Sequence, residues 1–153
     1  MQNNKVYVMV GIPASGKSSI AKKVAEDNNA VILSSDAIRA ELYGDESVQG
    51  DPAEVFGLLY RRAYENLVMN KNVIIDATNV SCKTRRNIMN KFRNLDVKFI
   101  AVYCDISLDE ALKRNSERSR NVPYFVIQRM YNQLVEPSYD EGFDNIIIYN
   151  MKG

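Results

Sequence analysis

The sequence predicts an α/β domain of three layers, in which a five-stranded, mainly parallel sheet lies between helices. Short apolar runs rich in Val and Ile alternate along the chain with longer stretches of helical periodicity, which is the pattern of successive right-handed βαβ units. The apolar runs are mostly continuous rather than alternating with polar residues, as expected of parallel strands buried on both faces. A glycine-rich turn directly after the first run is a third indication, because such turns open the first helix of many α/β domains.

Each strand is predicted from one run of apolar residues. The five predicted strands cover residues 6–10, 30–33, 73–75, 97–103 and 146–149. The segments between them are long enough for crossover helices, so consecutive strands can lie parallel.

The helices are predicted from their periodicity. Ile20, Val24 and Ala25 mark a helix after the first strand. A second helix carries an apolar residue at every fourth position, at Val55, Leu59, Ala63 and Leu67. Another is predicted from Pro123 to about Glu136, which precedes a second proline.

Two helix starts carry clear N-terminal signals. Asp51 is followed by Pro52 and then by Glu54, which gives an N-cap, a proline in the first turn and a capping-box carboxylate. Ser107 with Glu110 forms a second capping box.

Length and composition limit the classes of protein to consider. The 153 residues fit a single domain over 1–153, because domains most often have about 100–150 residues. An apolar fraction of 46% and a charged fraction of 25% exclude a disordered or fibrous chain. The net charge is +1, so attraction to a polyanion would require local clusters of charge. The chain has no histidine, which excludes Ser/His/Asp and Cys/His catalysis and leaves a carboxylate as the general base.

Cysteine usage and the N-terminal segment predict a soluble, cytoplasmic protein. Cys82 and Cys104 are too far apart for a CxxC motif and are interpreted as reduced thiols. The polar N-terminus leads directly into the first apolar run without signal-peptide features, and no apolar run reaches about 18 residues.

The segment from Gly11 to Ser18 matches the Walker A pattern G-x-x-x-x-G-K-[ST] between the first predicted strand and helix. Such a loop points its backbone N–H groups inward, and the helix N-terminus adds partial positive charge where the β-phosphate would rest. Lys17 is expected to reach the β- and γ-phosphates of ATP, and the Ser18 hydroxyl is expected to bind Mg²⁺. The alternative is a glycine-rich turn without a ligand. The predicted ATP-binding residues of the loop are Gly11, Pro13, Ala14, Ser15, Gly16, Lys17, Ser18 and Ser19.

Motifs that are absent narrow the class of P-loop protein. The guanine-specificity motif Asn-Lys-x-Asp does not occur, which argues against a GTPase. Motor-type ATPases usually place a water-activating glutamate after the acidic residue that ends a core strand, whereas Asp76 is followed by Ala77. These absences favour a kinase that passes the γ-phosphoryl group to a bound hydroxyl. A non-catalytic ATP-binding regulator is the alternative, since it would need no general base.

Asp36 is the candidate general base, because it follows the second strand at the carboxyl edge where open α/β sheets bind ligands. Arg39, one helical turn later, could hold an acceptor phosphate while Asp36 accepts the hydroxyl proton. The alternatives are a carboxylate that only stabilises the helix N-terminus and a local i,i+3 ion pair.

Polar residues also follow the third strand. Asp76 ends this strand and is interpreted as a magnesium ligand acting through water, with a structural hydrogen-bonding role as the alternative. Asn79 lies three residues later at the same sheet edge. The predicted acceptor-binding residues are Asp36, Arg39, Asp76 and Asn79, and the predicted metal ligands are Ser18 and Asp76.

Basic residues concentrate in two predicted helices. The first cluster is Lys83, Arg85, Arg86, Lys91 and Arg93, and the second is Lys113, Arg114, Arg118 and Arg120. The first could follow a nucleic-acid backbone or form only a solvated helix face. In the second, Arg114 and Arg118 would repel each other at i,i+4 unless an anion lay between them, which favours a mobile, triphosphate-binding lid over residues 112–122. Favourable placement at a helix C-terminus is the alternative.

Aromatic residues follow the second basic cluster. They are Tyr124, Phe125, Tyr131 and Tyr139. These rings could stack on a base, although packing in the core is the commoner role of such residues.

The chain resembles the polynucleotide-kinase-like branch of the P-loop kinases nearly from end to end. The resemblance rests on residues 11–19, 35–39, 75–79, 113–118, 122–123 and 141–144. It implies an adenylate-kinase-like sheet with the P-loop strand in the middle. It also implies that the catalytic residues are Lys17, Asp36 as the base, Arg39 near the acceptor phosphate and Arg118 against the donor phosphates. Arg114 is expected to join Arg118 in binding ATP.

Together these features predict a kinase that uses ATP and Mg²⁺, with the 5′-hydroxyl end of a polynucleotide as its acceptor. A small-molecule kinase acting on a nucleoside or metabolite is the alternative, because the motifs specify the reaction more than the acceptor. No membrane association and no protein partner are predicted.

Overall fold

A computed structural model describes residues 4–119 and 121–151 of the chain. The strands are β1 (Lys5–Val10), β2 (Ala30–Ser34), β3 (Asn72–Asp76), β4 (Lys98–Asp105) and β5 (Asn145–Asn150). The helices are α1 (Lys17–Asn28), α2 (Ser35–Tyr43), α3 (Pro52–Val68), α4 (Cys82–Phe92), α5 (Leu108–Glu117) and α6 (Tyr124–Gln133), with a 3₁₀ turn at Tyr139–Glu141. No helix in these two stretches is long and apolar enough to cross a membrane.

The five strands form one sheet in the order β2-β3-β1-β4-β5, and all four pairings between them are parallel. This confirms the predicted three-layer α/β fold with the P-loop strand in the middle. All five strands therefore end at the same edge of the sheet, and the segments that follow β1, β2 and β3 lie side by side.

The core lies on both faces of the sheet, because β1 is buried on both sides. Val6, Val8 and Val10 pack with α3 and α4 on one face. Tyr7 and Met9 pack with α1 on the other. The four apolar residues predicted for α3 are fully buried, and burying each such Val or Leu side chain stabilises the fold by about 1.5–3 kcal/mol.

The two predicted N-caps are confirmed, but neither capping box is complete within the described residues, because the Glu54 carboxylate accepts from the Tyr43 hydroxyl and that of Glu110 accepts from Arg114. The Asp51 carboxylate accepts a hydrogen bond from the Ala53 N–H at 3.0 Å, with Pro52 as the first residue of α3. The Ser107 hydroxyl accepts from the Glu110 N–H at 3.1 Å at the start of α5.

The end of α6 differs from the prediction, because the helix stops at Gln133 rather than near Glu136. Leu134 adopts an extended conformation and packs against two core clusters. The Val135 N–H then donates to the Val80 carbonyl at 2.9 Å. A continuing helix would lose this tertiary hydrogen bond.

The prediction that every strand is buried on both faces is wrong for β5. This strand pairs only with β4 and forms an edge of the sheet. Ile148 in its centre is 54% exposed. An apolar run therefore identified the strand without showing whether a neighbour covers it.

Arg85 forms a buried ion pair and does not belong to a solvated basic face. Its side chain is fully buried and donates to both carboxylate oxygens of Glu141, at 2.8 and 3.0 Å. It also donates to the backbone carbonyls of Asn79 and Val80 at 3.0 and 3.1 Å. Arg85 thus joins α4 to the turn at Tyr139–Glu141 and to the loop that follows β3.

We expect Glu141→Ala to lower the free energy of unfolding by about 3–5 kcal/mol, because it leaves the Arg85 guanidinium buried without a counter-ion. Urea denaturation of the two proteins measures this difference. The matched control is Glu41→Ala, which removes the exposed partner of Arg62 and should cost at most about 1 kcal/mol. Equal losses in the two variants would contradict a special role for the buried pair.

The same pair should make stability depend on pH. Burial alone would raise the pKa of Glu141, but hydrogen bonds from Arg85 and from the Ser138 N–H outweigh this effect and lower the pKa. The stabilisation is therefore present above the unfolded pKa of about 4.3 and is lost as the pH falls through the folded value. The stability gap between the parent and Glu141→Gln should be constant near neutral pH and shrink in acid.

Candidate active site

The P-loop lies between β1 and α1 and is shaped to bind an anion. Ala14 and Gly16 have positive φ angles of 67° and 87°, which turn the backbone around the loop. Gly16 is the N-cap of α1 and supplies no side-chain hydrogen bond, whereas Ser34 caps the start of α2 with its hydroxyl. The first N–H groups of α1 are therefore available to an anion, and the helix dipole favours negative charge there.

Two glycines of the loop are closely surrounded, and the positive φ of Gly16 disfavours a side chain there. A Cβ at Gly16 would lie 2.9 Å from the Met151 methyl group, in addition to the strain of the positive φ. A Cβ at Gly11 would lie 3.0 Å from the Ser15 hydroxyl. That hydroxyl is buried and has no hydrogen-bond partner within the described residues, as expected of a polar group in a loop built around a ligand.

Lys17 and Asp76 meet beneath the loop. Their Nζ and Oδ1 atoms are 3.3 Å apart, and only 16% of the lysine and 8% of the aspartate side chain is exposed. The contact links the P-loop to the end of the neighbouring strand β3. The contact brings together Lys17, which the sequence assigned to ATP, and Asp76, which it assigned to Mg²⁺. Ser18, the other predicted magnesium ligand, is exposed on the first turn of α1.

Asp36 and Arg39 lie on α2, directly after β2. Their Oδ1 and Nη1 atoms are 3.0 Å apart, so the local ion pair considered from the sequence is present. The pair is asymmetric, since 53% of the Asp36 side chain but only 12% of that of Arg39 is exposed. The Arg39 guanidinium lies 5.8 Å from the centre of the Phe56 ring, and its Nε is buried without a described partner. Asp36 therefore presents an open carboxylate beside a partly unsatisfied cation.

The sheet brings these two groups to one edge. Ser34 at the end of β2 is in register with Asp76 at the end of β3, which pairs with β1. Because neighbouring strands are about 4.8 Å apart, the ends of β1 and β2 are separated by about 10 Å. A phosphoryl group and an acceptor hydroxyl can be accommodated across such a gap.

Asn79 lies at this edge, but its side chain points into the protein. It is 3% exposed, and its Nδ2 donates to the Met9 carbonyl at 2.8 Å. The residue has a positive φ of 46°. Its side-chain hydrogen bond to Met9 connects the loop after β3 to β1. The Nδ2 group thus holds the backbone of β1, whereas the Oδ1 atom has no hydrogen-bond partner within the described residues. Acceptor binding by Asn79 stays a prediction.

The two arginines of α5 differ from their predicted arrangement. The helix ends at Glu117 and Arg118 is extended, so the two residues do not share a helix face as the i,i+4 argument required. Arg114 donates to the Ser15 and Met151 carbonyls at 3.4 and 2.7 Å, beside the P-loop. Arg118 is exposed and donates to Asn115 Oδ1 at 3.1 Å. Arg120, the last member of the predicted cluster, lies outside the described residues.

The aromatic residues after α5 are on the surface rather than in the core. Tyr124, Phe125 and Tyr139 are 68%, 57% and 60% exposed, and Tyr131 is also exposed. Tyr124 and Phe125 contact each other edge to face, with ring centres 6.1 Å apart.

Sequence reasoning missed a groove of about 910 Å³ that starts at the loop after β3. We call it the α3–α4 groove. It is lined by Phe56 and Tyr60 of α3, residues 77–81 of the loop, Thr84, Asn87, Asn90 and Lys91 of α4, and Met130 and Gln133 of α6. The four-residue spacing of Phe56 and Tyr60 was a usable signal, but only the tertiary packing shows which helix they face.

Comparison with known proteins places the chain in a family. A family model described as an AAA domain matches residues 6–137, and the chain belongs to this family. An L-seryl-tRNA(Sec) kinase from Methanococcus maripaludis is 32% identical over 145 residues, which cover 91% of this chain and 56% of that protein. The chain thus spans about half the length of that relative.

Solved structures share the fold. A gluconokinase from Sinorhizobium meliloti superposes with a TM-score of 0.68 at 18% identity, covering 100% of this chain and 86% of that one. A chain of the Pnkp1/Rnl/Hen1 RNA repair complex gives a TM-score of 0.75 at 24% identity, covering 88% of this chain and 45% of that one. These likenesses establish a P-loop kinase fold.

We expect Lys17→Ala to abolish the binding of ATP with Mg²⁺, because it removes the ammonium group from an otherwise intact amide nest. Isothermal titration with a nonhydrolysable ATP analogue measures the affinity. Lys22→Ala is the matched control, since Lys22 is an exposed lysine on the same helix. Parent-like affinity of the Lys17 variant would show that the P-loop assignment is wrong.

Proposed function

We propose that the protein is an ATP-dependent kinase that phosphorylates a hydroxyl group of a polynucleotide, with the 5′-hydroxyl end as the first candidate. The observation that carries the proposal is the open Asp36 carboxylate after β2, one strand from Asp76 and two strands from the P-loop that carries Lys17, at one edge of the sheet. A base beside a phosphate-binding loop suits transfer to an alcohol. A regulator that only binds ATP would need no such group.

The reaction assigns one role to each group. The acceptor oxygen attacks the γ-phosphorus, the bond from that phosphorus to the oxygen of ADP breaks, and the hydroxyl proton passes to the Asp36 carboxylate. Lys17 offsets the negative charge of the β- and γ-phosphates. Arg39 holds an acceptor phosphate next to the reacting hydroxyl, which would satisfy its unpartnered Nε.

Ser18 and Asp76 suit Mg²⁺, which takes oxygen ligands and keeps several waters and phosphate oxygens around it. The ion would supply positive charge against the phosphates of the donor. Asp76 can serve only one cation fully at a time, so the 3.3 Å contact with Lys17 should loosen when donor phosphates give the lysine a new partner.

Arg118 and Arg114 would contact the donor from the other side. Arg118 is exposed and contacts only Asn115 in the hydrogen bonds described, so it is free to turn toward a triphosphate. Arg114 already contacts the Ser15 carbonyl of the P-loop. Its first effect is therefore on the shape of the loop.

A second candidate acceptor is the serine hydroxyl of an aminoacylated tRNA. The 32% identity to an L-seryl-tRNA(Sec) kinase over most of this chain favours it. Both candidates present a hydroxyl on a nucleic acid. A small metabolite is a third possibility that rests on the shared gluconokinase fold alone.

The acceptor class can be tested by phosphate transfer from labelled ATP with Mg²⁺. The acceptors are a 5′-hydroxyl oligonucleotide, a seryl-tRNA, a nucleoside 3′-monophosphate, a nucleoside and gluconate, each at several salt concentrations. We expect transfer to a nucleic acid with an apparent affinity that falls as salt rises, with a slope of about −0.7 per neutralised phosphate of a single strand. Preference for the nucleoside or for gluconate over both nucleic acids would contradict the proposal, and so would transfer to a nucleic acid without salt dependence.

We expect Asp36→Asn to lower turnover by about 10²–10⁴ while ATP binding persists, because the amide keeps the shape but cannot accept the proton. Single-turnover transfer and ATP titration measure the two effects separately. Asp27→Asn, an exposed aspartate near the end of α1, is the matched control. Parallel loss of ATP binding and turnover would assign Asp36 to the helix start only.

A further inference from the structure

The α3–α4 groove has the chemistry of a surface that recognises a nucleobase. Two aromatic rings line one wall, Phe56 and Tyr60, with centres 5.9 Å apart. α4 contributes the side-chain amides of Asn87 and Asn90 to the same lining, and α6 adds that of Gln133. Each amide offers a donor and an acceptor, which matches the edge of a base, and aromatic faces bind bases irrespective of sequence.

The charges of the groove argue against other ligands. Lys91 is the one charged residue among the described residues that line it, so a site dedicated to phosphate groups or to a metal ion is disfavoured. The Lys91 ammonium lies 5.2 Å from the centre of the Tyr60 ring, and the Arg39 guanidinium is similarly placed beside Phe56. One cation therefore stands near each ring, where the phosphates on either side of a bound base could reach it.

The position of the groove connects it to the candidate active site. Its lining begins at Ala77 and Thr78, directly after Asp76, and continues along α4 away from the P-loop. Its volume of about 910 Å³ lies within the range of about 300–1,000 Å³ that holds compact organic ligands. A nucleic-acid acceptor whose 5′ end lies at Asp36 could continue into this groove.

The amide wall is rigid and has unused hydrogen-bonding groups. Ile88, Met89 and Phe92 anchor the opposite face of α4 in the core, and Arg85 fixes its first turn. Asn87, Asn90 and Gln133 are exposed, and no hydrogen bond of their side chains is found within residues 4–119 and 121–151. A preformed wall with free amides can bind without reorganising.

We propose that the α3–α4 groove binds a base of the acceptor strand, with Phe56 and Tyr60 as the aromatic wall and Asn87 and Asn90 reading the base edge. This inference rests on the proposed function, because it requires a nucleic-acid acceptor. It adds that the protein distinguishes bases near the reacting hydroxyl, so its acceptors are not recognised by their backbone alone.

The test is a double-mutant cycle on the dissociation constant, in which a groove amide is removed from the protein and a base is removed from the oligonucleotide. Fluorescence anisotropy, with a nonhydrolysable ATP analogue present, measures the Kd of a short 5′-hydroxyl oligonucleotide and of versions with an abasic site at each of the first three nucleotides. The proteins are the parent, Asn87→Ala, Asn90→Ala and the control Asn94→Ala, an exposed asparagine just beyond α4 that does not line the groove. Alanine favours the helix, and thermal melting checks that each variant is folded.

We expect each groove variant to weaken binding of the intact strand by about 3- to 10-fold, as for the loss of one or two hydrogen bonds. At one abasic position the parent should weaken by more than this, because stacking on the aromatic rings is lost together with the amide contacts. The groove variants should lose less than the parent there, since their amide contact is already absent. The control should bind every strand as the parent does.

Three results would overturn the inference: additive losses at all abasic positions, unchanged affinity of the groove variants, or no binding of any oligonucleotide by the parent.

A phosphate-transfer assay distinguishes failure of the base site from failure of the proposed function. If the parent phosphorylates the strand while the cycle is additive, the kinase proposal stands and the base site does not. If the parent binds strands with the expected coupling but transfers no phosphate to a 5′-hydroxyl oligonucleotide or to a seryl-tRNA, the groove is supported and the kinase proposal fails.

Discussion

The burial of β1 in the middle of a parallel sheet is the constraint on which the candidate active site depends. With β3 on one side and β4 on the other, β1 leaves no freedom in where its C-terminal end lies. Gly11 follows it at once and donates its N–H to the Thr78 carbonyl at 3.0 Å. The phosphate-binding loop is therefore bonded to the segment that carries Asp76, and the two cannot move independently.

A second constraint extends this rigidity to the groove. The loop after β3 is held from one side by the Asn79 amide on Met9 and from the other by the Arg85 guanidinium on the Asn79 and Val80 carbonyls. Buried polar groups of this kind are costly where a partner is missing, and the Asn79 Oδ1 atom has none within the described residues. Here they fix a segment that has little secondary structure of its own. The side of the site that would meet an acceptor is thus preformed, whereas Arg118 on the donor side is exposed.

The parts of the molecule that sequence could predict are those encoded by neighbouring residues. The P-loop, the α3 stripe and the caps at Asp51 and Ser107 each depend on spacing over a few positions, and the structure contains them as predicted. The central position of the P-loop strand followed from the resemblance.

What the sequence could not show depends on contacts between distant segments. Arg85 looked like one of five surface cations until Glu141, which is 56 residues away, proved to be its partner. Ile148 is exposed on β5, which pairs with β4 alone among the described strands, and the Asn79 side chain bonds to the Met9 carbonyl, 70 residues away. The α3–α4 groove likewise joins residues from three helices, and no local pattern marks it.

A crystal structure with Mg²⁺, a nonhydrolysable ATP analogue and a 5′-hydroxyl oligonucleotide would show whether the P-loop and Asp36 act on one reaction. We expect the triphosphate in the loop from Gly11 to Ser19, with Lys17 on its β- and γ-phosphates. We also expect the terminal hydroxyl of the nucleic acid at hydrogen-bond distance from the Asp36 carboxylate, about 2.6–3.2 Å. A well-ordered nucleic acid whose hydroxyl lies away from both Asp36 and the γ-phosphate would contradict the assignment of Asp36 as the general base.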